Sequence, residues 1–167
     1  MKKTIIIKLF LPTLLFFSVF AVSAQDSTYS TGNTENLPIA EKFTGMLGMT
    51  PDTAFKELGV PDSIFPYRGE TPEEDNVVFY YKNNTYIFWF HDRVWQIRAD
   101  KRWDGSLDGV SMGMKKQKIL GLWGNPINNF DPQPTWVIAG KPFPVRIRLY
   151  FNSEDRLDDL YVYRSDW

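Results

Sequence analysis

Cysteine is absent from the 167 residues and histidine occurs once, so a disulfide framework, a cysteine nucleophile and a His/Cys zinc cluster are all excluded by count. No Gly-x-Gly-x-x-Gly or Walker pattern cradles a phosphate, and no Gly-x-Ser-x-Gly elbow presents a serine. Charge of one sign is also missing: 19 basic side chains stand against 20 acidic ones. A chain so balanced lacks the basic patch that nucleic acid phosphates demand. The only long apolar run lies at the start, where Lys2 and Lys3 precede Thr4 to Val22, interrupted by Lys8. Val22-Ser23-Ala24 supplies the small residues of a cleavage site, so residues 1–24 are expected to be a signal peptide cut after Ala24, with no stable membrane insertion of the mature chain. Loss of those three lysines moves the remainder to a net charge of −4, from 19 less 3 basic against 20 acidic residues.

Aromatic residues, by contrast, make up 16% of the chain and concentrate after residue 64. In an exported protein without disulfides they supply the apolar mass a core requires. Residues 25–44 are rich in Ser, Thr, Asn and Glu and read as a flexible tether.

A self-similarity organises the rest. Gly48-Met49-Thr50-Pro51 through Leu58-Gly59-Val60-Pro61 recurs without a gap as Gly113-Met114-Lys115-Lys116 through Trp123-Gly124-Asn125-Pro126. Each copy spells a short helix with a forced stop. Thr50 is a side-chain N-cap and Pro51 suits the first turn. Ala54, Phe55 and Leu58, like Ile119, Leu120 and Trp123, fall on one helix face, while Gly59 and Gly124 cap and Pro61 and Pro126 terminate. Alternation then takes over. Val145, Ile147, Leu149 and Phe151 interleave with Arg146, Arg148 and Tyr150, a turn comes next at Asn152 to Asp155, and Leu157, Leu160 and Val162 form the return, with a bulge or strand start near Asp159. The first copy repeats this with Tyr86 to Phe90, a turn at His91-Asp92-Arg93 and a return through Val94, Ile97 and Ala99. Val77 to Tyr81 and Thr135 to Ala139 add a further strand to each. The expected fold is α+β: two tandem repeats, residues 45–100 and 110–167, each a short helix packed on a three- or four-stranded antiparallel meander, joined by a connector at 101–109.

The Gly-Met, short helix, Leu-Gly-Val-Pro or Trp-Gly-Asn-Pro pattern before a meander resembles the SmpA/OmlA domain of the small lipoprotein of the outer-membrane β-barrel assembly machine. Its tandem use in an exported chain is similar to the β-lactamase inhibitory protein family. That resemblance implies two repeats forming a concave sheet that grips another protein, with β-lactamase as the family's target. The chain departs from both families, having no cysteine for lipidation or disulfides, and no inhibitory loop carries over residue by residue.

Chemistry-bearing residues are sparse. His91 falls in a hairpin turn; Glu70, Glu73, Glu74 and Asp75 sit in a Pro-containing loop; Asp100, Asp104 and Asp108 lie at the connector without calcium-loop spacing, and both acidic clusters read as solvated loops. No catalytic residue, cofactor or metal site is assigned. If the apolar set of each strand points inward, the outward set is Arg146, Arg148 and Tyr150 beside Tyr161 and Tyr163, and in the first copy Ile87, Trp89, Gln96 and Arg98, with Tyr80. Trp, Tyr and Arg are the residues enriched at interface hot spots. Trp89, Arg98, Arg146, Arg148, Tyr150, Tyr161 and Tyr163 are therefore the candidate partner-binding residues. The expected function is a non-catalytic, periplasmic or secreted protein-binding module, an inhibitor of another protein being one form of it. The alternative is an envelope-assembly or scaffold factor of the SmpA/OmlA kind, and an exported hydrolase is the third reading.

Overall fold

The computed structural model describes residues 41–128, 133–138 and 141–167. Residues 1–40, which hold the export signal and most of the tether read from the sequence, lie outside them. Three helices, α1 (Glu41–Met46), α2 (Pro51–Leu58) and α3 (Lys116–Trp123), lie over one face of a seven-stranded sheet. Its strands are β1 (Ser63–Tyr67), β2 (Asn76–Tyr81), β3 (Thr85–Phe90), β4 (Arg93–Asp100), β7 (Thr135–Ile138), β8 (Val145–Phe151) and β9 (Leu157–Arg164), while β5 (Ser106–Leu107) and β6 (Val110–Ser111) make a small separate hairpin. Every neighbouring pair in the large sheet is antiparallel, in the order β1-β2-β3-β4-β9-β8-β7. The molecule is α+β and mostly antiparallel sheet. The two meanders are one sheet, joined where β4 pairs with β9 and Ile97 lies opposite Val162.

Helices of eight residues are marginal in isolation, so α2 and α3 exist by what they bury. Thr50 Oγ1 accepts the Thr53 N–H at 3.3 Å, as an N-cap should. Ala54 is sealed in α2, as are Ile119 and Trp123 in α3. Phe55, expected on the buried face, is 41% exposed, with the ring of Phe79 5.5 Å away. Gly59 and Gly124 close the helices at φ 79°, ψ −168° and φ 72°, ψ −166°. That region is essentially closed to any residue with a Cβ, a stricter demand than the left-handed cap the sequence implied. The two Gly-Met pairs also meet the sheet alike. Gly48 N–H donates to Val94 O and Val94 N–H to Met49 O, at 2.7 and 3.1 Å; Gly113 N–H donates to Leu157 O and Leu157 N–H to Met114 O, at 2.8 and 2.9 Å.

The core between helices and sheet takes Val145, Ile147 and Leu149 from β8, Leu160 and Val162 from β9, Val94, Ile97 and Ala99 from β4, and Trp136 from β7. Each large aliphatic side chain so buried contributes about 1.5–3 kcal/mol. Two bulges set which residues reach it. Between β8 and β9 the register slips at Tyr150/Phe151, leaving Asp158 as the extra residue beside the expected Asp159. Between β3 and β4 it slips at Phe88/Trp89, and Trp95 is the extra residue. His91 and Asp92, at φ 46° and 55°, form the turn between β3 and β4, and positive φ at both positions suits the right-handed strand twist.

Three features depart from the expected plan. The last residues assigned to the tether, 41–44, are helical, and Phe43 packs 5.4 Å from the Trp103 ring. The connector is no solvated spacer: Trp103 and Leu107 are buried, and the β5–β6 hairpin occupies its end. Finally, β1 adds a strand that the sequence pattern hides, because Pro66 interrupts it and all five residues are exposed, the features of an edge strand that blunts further pairing.

Candidate functional site

The strands position seven sequence-selected residues, and the register decides which of them share a surface. On β8 the alternation holds: Arg146 is exposed, and Arg148 and Tyr150 are half-buried on the face away from the helices. Arg148 lies opposite Tyr161 on β9, which lies opposite Arg98 on β4, which lies opposite Tyr86 on β3. A row of Tyr, Arg, Tyr and Arg thus crosses four strands. Tyr150, Arg98, Arg148 and Tyr161 belong to it or touch it, and Arg146 and Tyr163 form the next row with Gln96.

Trp89 is not on this face. It is 6% exposed, packs 4.9 Å from the Phe79 ring and belongs to the core with Ile87. The expectation that Ile87 and Trp89 face outward is thereby corrected. β3 reads Thr-Tyr-Ile-Phe-Trp-Phe, with Phe88 buried on one face and Ile87 and Trp89 on the other. A strand buried on both faces carries no alternation from which to choose a side. Tyr163 lies on the expected face but is only 8% exposed, lodged beneath Arg148.

Within the row, side chains hold one another. Arg98 is bidentate to Asp159, Nε to Oδ1 at 2.7 Å and Nη2 to Oδ2 at 2.9 Å. Its guanidinium sits 5.1 Å from the Tyr86 ring centroid and 5.7 Å from that of Tyr161. The carboxylate hydrogen bonds raise the Arg98 pKa against the opposing effect of burial. Burial also pushes the Tyr161 hydroxyl up to about 12. Arg148 lies 5.0 Å from the Tyr163 ring and donates to its hydroxyl at 2.9 Å. At the end of the row Asp100 accepts from Tyr86 Oη at 2.8 Å and pairs with Arg102. The Arg102 hydrogen bond holds the Asp100 carboxyl far below the usual range. Asp100 is buried, contrary to its reading as a solvated loop acid.

The face is concave. One cavity of about 320 Å³ is lined by Phe65 and Tyr67 of β1, Phe88, Trp95 and Arg98 of the middle strands, and Arg148, Tyr150 and Tyr161 of β8 and β9. In a flat sheet β1 and β8, five strand spacings apart in this order, would be separated by roughly 24 Å. Sharing one cavity requires the sheet to coil around this face. Sequence reasoning missed Phe65, Tyr67 and Trp95: the first two because β1 does not read as a strand, the third because a bulge turns it outward. The face carries unmatched positive charge. Asp159 neutralises Arg98, while Arg146 and Arg148 enter no ion pair among the described residues.

His91 is exposed in its turn and stacked 4.1 Å from Phe90. Among the described residues no three His, Cys, Asp or Glu side chains converge to hold a metal ion, and no helix is long and apolar enough to cross a membrane.

No known family profile and no curated protein matches the chain. Among solved structures it is similar to an extracellular protein containing an SCP domain from Bacillus anthracis, with TM-score 0.50, 10% identity, and 74% of this chain and 45% of that one covered. It is also similar to a cysteine-rich secretory protein from Staphylococcus aureus, with TM-score 0.48, 12% identity, and 73% and 46% covered. A third is a DUF4309 family protein from Bacillus subtilis, with TM-score 0.42, 11% identity, and 70% and 78% covered. The chain spans less than half the length of the first two proteins. At such identities the likeness concerns fold alone, and none of the three is an SmpA/OmlA or β-lactamase inhibitory protein.

Proposed function

We propose that this chain is an exported, non-catalytic module that binds another protein in the concave face of its sheet, and that the sheet arose from two copies of one helix-and-meander unit. The single observation that carries the binding role is the groove of about 320 Å³ in which Tyr, Trp and Phe rings flank Arg98 and Arg148. Large rings and guanidinium groups in a concave setting offer much contact area at small entropic cost, the composition of interface hot spots. The paired hydrogen bonds of Gly48-Met49 and Gly113-Met114, and the two bulges beside them, support the duplication. The family likeness to SmpA/OmlA and β-lactamase inhibitory proteins rests on the same Gly-to-Pro segments. The extracellular and secretory descriptions of two structural neighbours accord with export.

The partner is expected to place an acidic side chain against Arg146 and Arg148, the cations that no carboxylate among the described residues neutralises. The test is a pull-down from the native envelope and culture medium with the intact chain, run beside Arg148→Ala/Tyr150→Ala and beside Phe55→Ala on the opposite side. A protein retained by the parent and by Phe55→Ala but lost with the double substitution is expected. Equal retention by all three would sink the reading. Outer-membrane barrels among the retained proteins would move the role to envelope assembly.

A further inference from the structure

At its β1 end the concave face opens into a second cavity, of about 600 Å³, walled by the rings of Tyr67, Phe90, Trp95 and Trp167. Tyr67 and Trp95 line both cavities. The rings are held in place from behind. Trp95 Nε1 donates to Asn76 Oδ1 at 2.6 Å, Phe90 stacks on His91, and Trp167 meets Phe90 edge-on at 5.6 Å.

The polar groups of this cavity differ in what they have left to offer. Asn76 is tied to the wall: its oxygen takes the Trp95 N–H and its nitrogen donates to Glu74 O. Arg68 forms an ion pair with Asp75, so the two cancel. Glu70 and Glu74 enter no ion pair among the described residues. A hydrogen bond of 3.0 Å from Glu70 N–H to Glu74 Oε2 holds the Glu74 carboxylate at the wall. The result is an aromatic box with two uncompensated negative charges.

We infer that this cavity is a binding site for an organic cation, an alkylated ammonium group of the choline type. Ring faces carry negative electrostatic potential and attract a cation within about 6 Å of the centroid, most strongly for Trp. The protein already uses one of these rings so: the Arg164 guanidinium lies 4.7 Å from the Trp167 centroid, and Arg164 is not among the residues lining the cavity. An alkylated ammonium has little hydrogen-bonding need, and the two carboxylates add attraction that an anion or a neutral molecule does not receive. A sugar stacks on rings too, but it is neutral and gains nothing from the two carboxylate charges.

The site shares Tyr67 and Trp95 with the partner-binding groove, but neither Arg148 nor Tyr150 lines it, so Arg148→Ala/Tyr150→Ala tests that reading without touching this one. Tryptophan fluorescence of the intact chain, titrated with choline and with its neutral isostere 3,3-dimethylbutan-1-ol, tests the proposal. Saturable choline binding is expected, with the alcohol at least about fivefold weaker, the share the positive charge contributes. Trp167→Ala, at an exposed ring, weakens choline by about two- to fivefold. Glu70→Gln/Glu74→Gln weakens it further and flattens its salt dependence, with circular dichroism confirming that both variants fold. The proposal is overturned if the alcohol binds as tightly as choline, if no saturation occurs up to roughly 100 mM choline, where a millimolar site is filled, or if a disaccharide binds and choline does not.

Discussion

Replacing Trp89 with alanine separates two accounts of one residue. On an exposed face the change removes a contact and leaves the fold intact; in the core it leaves a cavity the size of an indole. Trp89 is 6% exposed and packed against Phe79, with Ile87 and Val94 in the same cluster. Truncating a buried Trp costs about 3–5 kcal/mol, against a total of about 5–15 kcal/mol for a domain of this size. With a urea dependence of about 2 kcal/mol per molar, the unfolding midpoint falls by roughly 2 M. Trp89→Phe is expected to be far milder, under about 1.5 kcal/mol. It keeps most of the ring and removes an indole N–H that is buried without an acceptor among the described residues. Arg148→Ala, on the concave face, is expected to cost about 1 kcal/mol or less. Urea unfolding followed by far-ultraviolet circular dichroism reads all three. A Trp89→Ala midpoint within about 0.5 M of the parent would refute the core assignment and restore Trp89 to the surface.

Asp159→Asn strands Arg98, whose side chain is 30% exposed, without its bidentate carboxylate; a loss of about 2 kcal/mol is expected, and a double-mutant cycle with Arg98→Met that gives no coupling would show the pair to be screened. Burial raises the Tyr161 hydroxyl from 10.0 to about 12, so the fold favours the neutral phenol. Its stabilising contribution is whole below pH 10.0 and is lost as pH rises through about 12; Tyr161→Phe should flatten that alkaline slope, and an unchanged slope would assign it to other groups. Gly48 and Gly113 sit at φ 84° and 78° with no backbone near enough to clash. Alanine at either is expected to cost about 1 kcal/mol through backbone strain alone, and thermal melts that find one costly and the other neutral would argue against equivalent roles.

How much of the fold is legible in the sequence depends on burial. β8 and β9 are readable because one side of each is wet: Val145, Ile147 and Leu149 turn in while Arg146 and Arg148 do not. The site residues on those strands are therefore found from the pattern. β3 is readable as a strand but not as to side, because aromatic side chains fill both of its faces. β1 and the β5–β6 hairpin escape because a Pro-containing edge strand and two-residue strands leave almost no periodic signal. α1 escapes because Phe43 and Met46 are its only large apolar residues in a polar stretch, and the burial of Phe43 depends on Trp103, far along the chain.

Local sequence determined the elements whose cause is local: the two capped helices, their glycine stops, and the strands that alternate. Those features arise from steric limits and hydrogen-bonding needs within a few residues, so they are written where they act. Tertiary structure alone decided that β4 and β9 join two meanders into one sheet, that bulges at Trp95 and Asp158 turn residues out of step, and that the sheet coils until Tyr67 and Arg148 line one cavity. Those outcomes depend on pairing between residues far apart in the chain, whose register is settled by what the assembled core can bury.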